Sequence, residues 1–576
     1  MKRRRWFLGL AGLGCLALAV HSVPRLWNPL PVQASTVPGT GTLSGMVEAP
    51  QPFQAAQVYA RNLDKNILYM VYTNGGRYQA VNLFPGNYDV TVQKRGFAAD
   101  TKKLAVKAGE NSTANFRMRE ADPEFVQRNM YVGSETMQEN LQLVPYDTLY
   151  PPGAGRDALL NHCIYCHGQN FFPSKQWSAA QWNAGIDLML NPNAPAGRGA
   201  RIPAGTVSQK DRETLVAYLA ENFGPHSPKR ALKIDVEFPL DEQVLSRAMY
   251  VEYYLPLDPK LDAQNRQRQG QDPHFDKDGN VWYTDRSVPN RIGKLDPRTG
   301  TIKDYVAPNP KGGLHGLTVD SQGHVWFNET TGMHLGRLDP KTGEFMRYAV
   351  DPKGEIGKNL RAEGHTPILD SKQNVWFTVI VGNKLGKWDR KTGKLSLWEP
   401  PTPDSFPYGI VIDKMDTIWF IESRRCKVTQ FDPRTEKFTE YLPLTRPCRL
   451  RRLGIDSQGT IWYGVFSHGK LGKLDPKTGK IVEYDLPMPF SEPYDTWPDR
   501  EDNIWIGDGG QGGALIRFDP RQETFTYYPS PQRTDMPKLE ITREGAIWYN
   551  PRSSENAAVG VLYPDVSKMT TLAAYY

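Results

Sequence analysis

The sequence predicts a multidomain, mainly β chain, with a small β-sandwich, a compact helical domain and a seven-bladed β-propeller. Three observations carry this. Trp282, Trp326, Trp376, Trp419, Trp462, Trp505 and Trp548 recur at intervals of 44, 50, 43, 43, 43 and 43 residues. Residues 41–120 read as short strands between turn signals. Between these two regions lies Cys163-Ile164-Tyr165-Cys166-His167, in a stretch of helical periodicity.

Residues 1–34 read as a signal peptide: Lys2-Arg3-Arg4-Arg5, an apolar run from Trp6 to Val20, and small residues near Val32-Gln33-Ala34. The apolar core is too short to span a bilayer. Arg4-Arg5-Trp6-Phe7-Leu8 also follows a twin-arginine pattern, whereas Gly12-Leu13-Gly14 before Cys15 fits a lipobox poorly. The expected location is the periplasm of a bacterium or the exterior, with no membrane span in the mature chain. The formal charge of +7 owes five basic residues to this leader. The remainder holds 65 basic and 63 acidic residues, a net of +2, which gives no reason to expect a nucleic-acid partner.

Within residues 41–120, Asn74-Gly75-Gly76 is a hairpin signal, and Tyr88-Asp89-Val90-Thr91-Val92 alternates at period two after Pro85-Gly86. Gly45-Met46-Val47, Gly76-Arg77-Tyr78, Pro85-Gly86-Asn87-Tyr88 and Gly96-Phe97 resemble the carboxypeptidase regulatory-like family. That resemblance implies a β-sandwich accessory or binding module.

Residues 121–152 read as a linker that ends in Tyr150-Pro151-Pro152-Gly153. In 153–228, two cysteines two residues apart and followed by histidine form the attachment site of c-type haem. The thiols add to the two vinyl groups of one porphyrin and the histidine ligates the iron. A zinc site would need two more ligands nearby, and a dithiol redox motif does not require His167. The region resembles a class I cytochrome c. One helix runs from Arg156 to Asn161 into the motif. A second starts at Ser178 with Trp182, Ile186 and Met189 on one side, and a third opens at Ser208-Gln209-Lys210-Asp211 and buries Leu215, Leu219 and Phe223. Haem c is thus the expected cofactor, held by Cys163, Cys166 and His167. Met189 is the candidate sixth iron ligand, a position that otherwise stays open; its alternative role is core filler. His226 is a weaker candidate, and His162 sits too close to the proximal side.

Residues 245–576 form the repeat. Each tryptophan follows a turn such as Asp278-Gly279 and precedes a second one such as Asp296-Pro297-Arg298-Thr299-Gly300, which gives four strands per period. Met249–Tyr254 and Met569–Tyr576 both read as outer strands, either of which closes the last blade. The start of each first strand and the end of each second strand share one face. Eleven residues before and three after each tryptophan stand Asp285, His315, Glu329, His365, Tyr408, Glu422, Arg451, Tyr494 and Asp508, with Glu363 just ahead of His365. Histidines and carboxylates converging on one mouth suit a divalent cation or acid–base chemistry. Cys426 and Cys448 map to the same face as a candidate disulfide, the alternative being two buried thiols. Arg446, Arg449, Arg451 and Arg452 are either an anion patch or solvated charge.

Leu314-His315-Gly316, Val325-Trp326-Phe327-Asn328-Glu329 and Ile292-Gly293-Lys294-Leu295-Asp296 resemble the streptogramin lyase (virginiamycin B lyase) family across roughly 250–576. Members open a lactone by elimination, using histidine and glutamates with magnesium. The resemblance implies His365, Glu363 and His315 as catalytic residues, and Glu329 and Glu422 as ligands of a divalent cation such as Mg2+. Asp285, Tyr408, Arg451, Tyr494 and Asp508 complete the substrate or partner face. Val379 stands where a glutamate is expected after Trp376.

Three functions follow. One is an exported cytochrome that transfers electrons through haem while the propeller binds a redox partner protein or small-molecule substrate, with oxidoreductase activity in view. Another is a metal-dependent carbon–oxygen lyase with an appended cytochrome. The third is a non-catalytic binding scaffold.

Overall fold

Each repeat tryptophan is at most 2 % exposed and sits on the second strand of an antiparallel sheet. The computed structural model describes residues 37–121, 142–163, 171–173, 175–190, 207–233, 236–257, 268–356, 360–509, 513–532, 534, 536–551 and 557–576. Six four-stranded blades follow one another in sequence. Blade one pairs Gly270–Phe275, Val281–Asp285, Arg291–Asp296 and Thr301–Val306 from the axis outward; blade six runs from Pro493–Pro498 to Thr524–Pro529 in the same way.

A carboxylate in the first turn explains why tryptophan recurs at this spacing. Asp276 accepts backbone N–H groups from Asp278 and Asn280, and its other oxygen accepts from Trp282 Nε1 at 2.9 Å. The same bracket joins Asp320 to Trp326, Asp370 to Trp376, Asp413 to Trp419, Asp456 to Trp462 and Asp499 to Trp505, at 2.9–3.3 Å. Blade seven has Thr542 at that position, and its hydroxyl accepts from the N–H of Ala546. The third-strand glycines have a packing cause. A Cβ on Gly336 would stand 2.3 Å from the Phe327 ring, so only glycine lets that ring lie across the neighbouring strand.

Blade seven answers the closure question. It comprises Leu539–Ile541, Ile547–Tyr549, Ala558–Tyr563 and, as outer strand, Met249–Tyr254. Met569–Tyr576 is not a strand. It packs beneath blade one, where Ala574 N–H donates to Gly279 and the Tyr576 hydroxyl meets His274.

Met249–Tyr254 is also paired on its far side. It runs antiparallel to Ile67–Tyr72 of the sandwich, from Met249 opposite Val71 to Tyr253 opposite Ile67. Sandwich and seventh blade thus share one ten-stranded sheet, which explains why five of the six residues of Met249–Tyr254 are buried. The predicted hairpin at Asn74-Gly75-Gly76 is present, with both glycines at positive φ, and leads from this sheet into the second one, where Gly41–Glu48 pairs Arg77–Leu83.

The expected helices appear as Ala154–His162, Ala179–Leu190 and Gln209–Asn222. Ser178 and Ser208 cap the last two by accepting from Gln181 and Asp211 N–H. The first and last cross closely, since Gly155 has no Cβ to strike Tyr218. Leu159, Cys163, Phe172, Trp182, Ile186, Leu215, Leu219 and Phe223 form their core. Residues 142–150, expected to be linker, fold with these helices: Gln142–Val144 pairs Arg230–Leu232, and Leu149 and Tyr150 are buried in the same core. Cys166 and His167 lie outside the described residues.

Candidate functional site

The mouth is built by a repeated irregularity. Each of the first six inner strands carries a β-bulge near its start, at Leu314/Leu317, Gly364/Pro367, Pro407/Ile410, Leu450/Leu453, Pro493/Asp495 and Gln271/His274. A bulge adds one residue and re-aims its side chain. The residues it releases are His315, His365, Tyr408, Arg451, Arg452 and Tyr494, with Asp272 from blade one.

These side chains meet. The His315 and His365 rings lie against each other at a tilt of 34° with centroids 3.8 Å apart, and the His365 and Tyr408 ring centroids are 4.0 Å apart. The hydroxyls of Tyr408 and Tyr494 are 2.5 Å apart. Arg451 lies over the rings of Phe466, Tyr408 and Tyr494, at 4.7–5.3 Å, while Arg449 and Arg424 cover Phe406. Deeper, Arg452 pairs with Asp272 at 3.3 Å, and His315 Nδ1 is 3.9 Å from the same carboxylate. His365 is 2 % exposed. Burial first, then the neighbouring His315 and Arg452, push its imidazole well below the usual range. The ring is therefore neutral near pH 7, and its Nδ1 lies 2.8 Å from the Thr366 hydroxyl. Below the mouth, a cavity of about 240 Å³ continues along the axis past Arg452, Asp495, Lys538, Glu540 and His274.

The expected carboxylates do not join the histidines. Glu363 precedes the bulge and accepts from Arg361 at 2.7 Å. Glu329 is held by both ends of the Arg347 guanidinium, on the outer strand of its blade. Glu422 accepts from Thr429 on its blade's third strand, and burial raises its carboxyl to about 7. Asp285 pairs with Arg268 and accepts from Gln269 N–H, and Asp508 accepts from Glu492 N–H. The physical reason is strand alternation. The last residue of the second strand turns toward its own blade and the incoming loop, so these carboxylates staple the rim. Among the described residues no group of three or more histidine, cysteine, aspartate or glutamate side chains is arranged to hold a metal ion.

Sequence reasoning missed Asp272, Phe406 and Phe466. The bulge of blade one comes one residue later than in blade two, so Gln271, at eleven before Trp282, is paired in the ladder and Asp272 is the residue released. Cys426 and Cys448 form a disulfide, Cα atoms 5.2 Å apart, on the mouth side of blades four and five.

The helical domain rests on this same face. Phe490, in the loop entering blade six and four residues before Tyr494, stacks on Tyr146 at 5.2 Å. Tyr146 continues to Tyr150 at 5.4 Å, and Tyr150 to Phe223 at 5.3 Å. Cys163 is buried in that core, and Met189 is half-buried near the end of its helix. His162 is 3.6 Å from Asp211, and His226 is exposed.

Residues 265–518 match the profile of the virginiamycin B lyase family and residues 42–119 that of the carboxypeptidase regulatory-like domain. No curated protein matches the chain. Similar solved structures include a streptogramin B lyase, 23 % identical, covering 55 % of this chain and 97 % of that one with a TM-score of 0.48. Selenomethionine-substituted virginiamycin B lyase from Staphylococcus aureus is 21 % identical, with 54 % and 99 % covered and a TM-score of 0.47. A catalytically inactive variant of that lyase with quinupristin is 20 % identical, with 55 % and 99 % covered and a TM-score of 0.47. The chain thus carries a virginiamycin B lyase-like β-propeller, preceded by a carboxypeptidase regulatory-like domain.

Proposed function

We propose that this chain is an exported c-type haem protein whose propeller mouth binds the substrate or redox partner that exchanges electrons with the haem. The observation that carries the reading is the contact of the helical domain with the histidine-bearing face through Phe490 and Tyr146. The donor set fits the group: Cys163 lies among apolar and aromatic side chains, and Cys166 and His167 complete the attachment sequence. Cys163 and Cys166 would hold the porphyrin, and His167 and Met189 the iron. Bound there, haem supplies one-electron transfer.

The chain's own residues prepare the mouth. His365, kept neutral by burial, accepts a proton from a bound donor. Arg451, fixed by three rings, orients an anionic or aromatic group above the joined hydroxyls of Tyr408 and Tyr494.

A lyase reading has its own support in the family match over 265–518 and the adjoining histidines. One purified protein separates the two. Covalent haem seen by mass and by the reduced α-band, lost in Cys163→Ser and Cys166→Ser, supports the haem reading; a colourless protein from a host competent in haem attachment overturns it. Mg2+-dependent opening of a lactone, abolished by His365→Ala in protein lacking haem, supports the lyase.

A further inference from the structure

The cavity beneath blades six and seven, on the face opposite the mouth, lacks an acceptor that every other blade supplies. We infer that this cavity binds an organic oxyanion, a carboxylate or phosphate monoester, whose charged head takes the place of the aspartate missing from blade seven.

In six blades the tryptophan Nε1–H donates to an aspartate six residues earlier. In blade seven that residue is Thr542, and Trp548 Nε1 is buried with no hydrogen-bond partner among the described residues. Trp548 is 1 % exposed. The blade differs in a second way. Lysine or arginine on the third strand covers the tryptophan ring in blades one, two, three and five, but Val561 stands opposite Trp548.

Thr542, Ala546 and Trp548 line a cavity of about 460 Å³, larger than an inorganic ion needs. Its remaining chemistry is also rich in donors. Arg517 lines the cavity, and its Nε is buried without a partner. Of its charged lining, Asp565, Asp519 and Glu544 are matched by Arg247, Arg521 and Arg543, and Asp499 accepts from Asn503 N–H and Trp505 Nε1. The half-buried Arg517, the exposed Arg500 and Lys568, and Glu501 form no ion pair among the described residues, which leaves three cations to one carboxylate. Buried donors without acceptors, beside unpaired cations, select a group that is acceptor-only and negatively charged. Trp505, Tyr528 and Tyr563 supply aromatic wall for the organic part.

The test is a titration of the full chain with succinate and, separately, inorganic phosphate, read from the indole ¹⁵N–¹H signal of Trp548, identified by its loss in Trp548→Phe. A saturable shift of that signal is expected, with affinity at least tenfold weaker in Thr542→Asp, whose carboxylate restores the bracket and fills the place of the ligand. Response to succinate alone assigns a carboxylate, and response to phosphate alone a phosphate monoester. A Trp548 signal unmoved by either probe overturns the inference. So does a shift that persists unchanged in folded Thr542→Asp.

Discussion

At the residue scale, burial decides protonation, and it does so in opposite directions for bases and acids. His365 and His274 are pushed well below the usual imidazole range, chiefly by desolvation, while Glu540 and Glu252 rise to about 7 for the same reason. Glu252 is the clearer test because it lies outside the mouth, in the shared strand, accepting from Gln532 and Tyr549. Its folded carboxyl keeps a proton up to about pH 7, whereas an unfolded one releases it near 4.3. Its contribution is therefore fully present below about pH 4 and lost as the pH rises through 7, up to about 4 kcal/mol at roughly 1.4 kcal/mol per pKa unit. Glu252→Gln keeps the acceptor and has no proton to lose. Thermal unfolding at pH 5 and pH 8.5 should show the variant gaining on the parent at the higher pH; parallel losses in both would exclude Glu252 as the source.

At the element scale, the blade was legible wherever a side chain has one partner at a fixed spacing. The Asp–Trp bracket and the third-strand glycine recur because each satisfies a local contact, and counting tryptophans was enough to count blades. The mouth was half legible. The positions before each tryptophan, His315, His365, Tyr408, Arg451 and Tyr494, are the ones whose side chains meet at the mouth, because the bulge repeats. Those after it named the rim staples Glu329, Glu422, Asp285 and Asp508, because spacing does not say which way a strand's last side chain turns. Asp272 escaped because one bulge moved by a residue. The glycine account makes a direct prediction. Gly336→Ala forces a methyl against Phe327 and should destabilise the folded chain by about 1–3 kcal/mol, measured by denaturant unfolding. An unchanged midpoint would mean that the aromatic simply moves aside.

At the scale of the whole molecule, the sequence divides the chain into three domains, but the packing does not keep them apart. Two outer segments competed to close the ring, and Met249–Tyr254 prevails because it meets a strand on each side. The helical domain leans on the mouth through the stacked Phe490–Tyr146 pair, worth about 0.5–1.5 kcal/mol beyond its buried area. Phe490→Ser should therefore speed proteolytic release of the helical domain without lowering the unfolding temperature of the propeller. Equal cleavage rates would show that other contacts hold it. The ladder joining Ile67–Tyr72 to Met249–Tyr254 has a different import. A recombinant fragment cut to the matched blades, 265–518, would leave out every strand of the seventh blade and expose raw hydrogen-bonding edges that invite self-association. Severing the backbone between sandwich and ring would still leave the two pieces zipped together, so anything that grips the front module pulls directly on the clasp of the wheel.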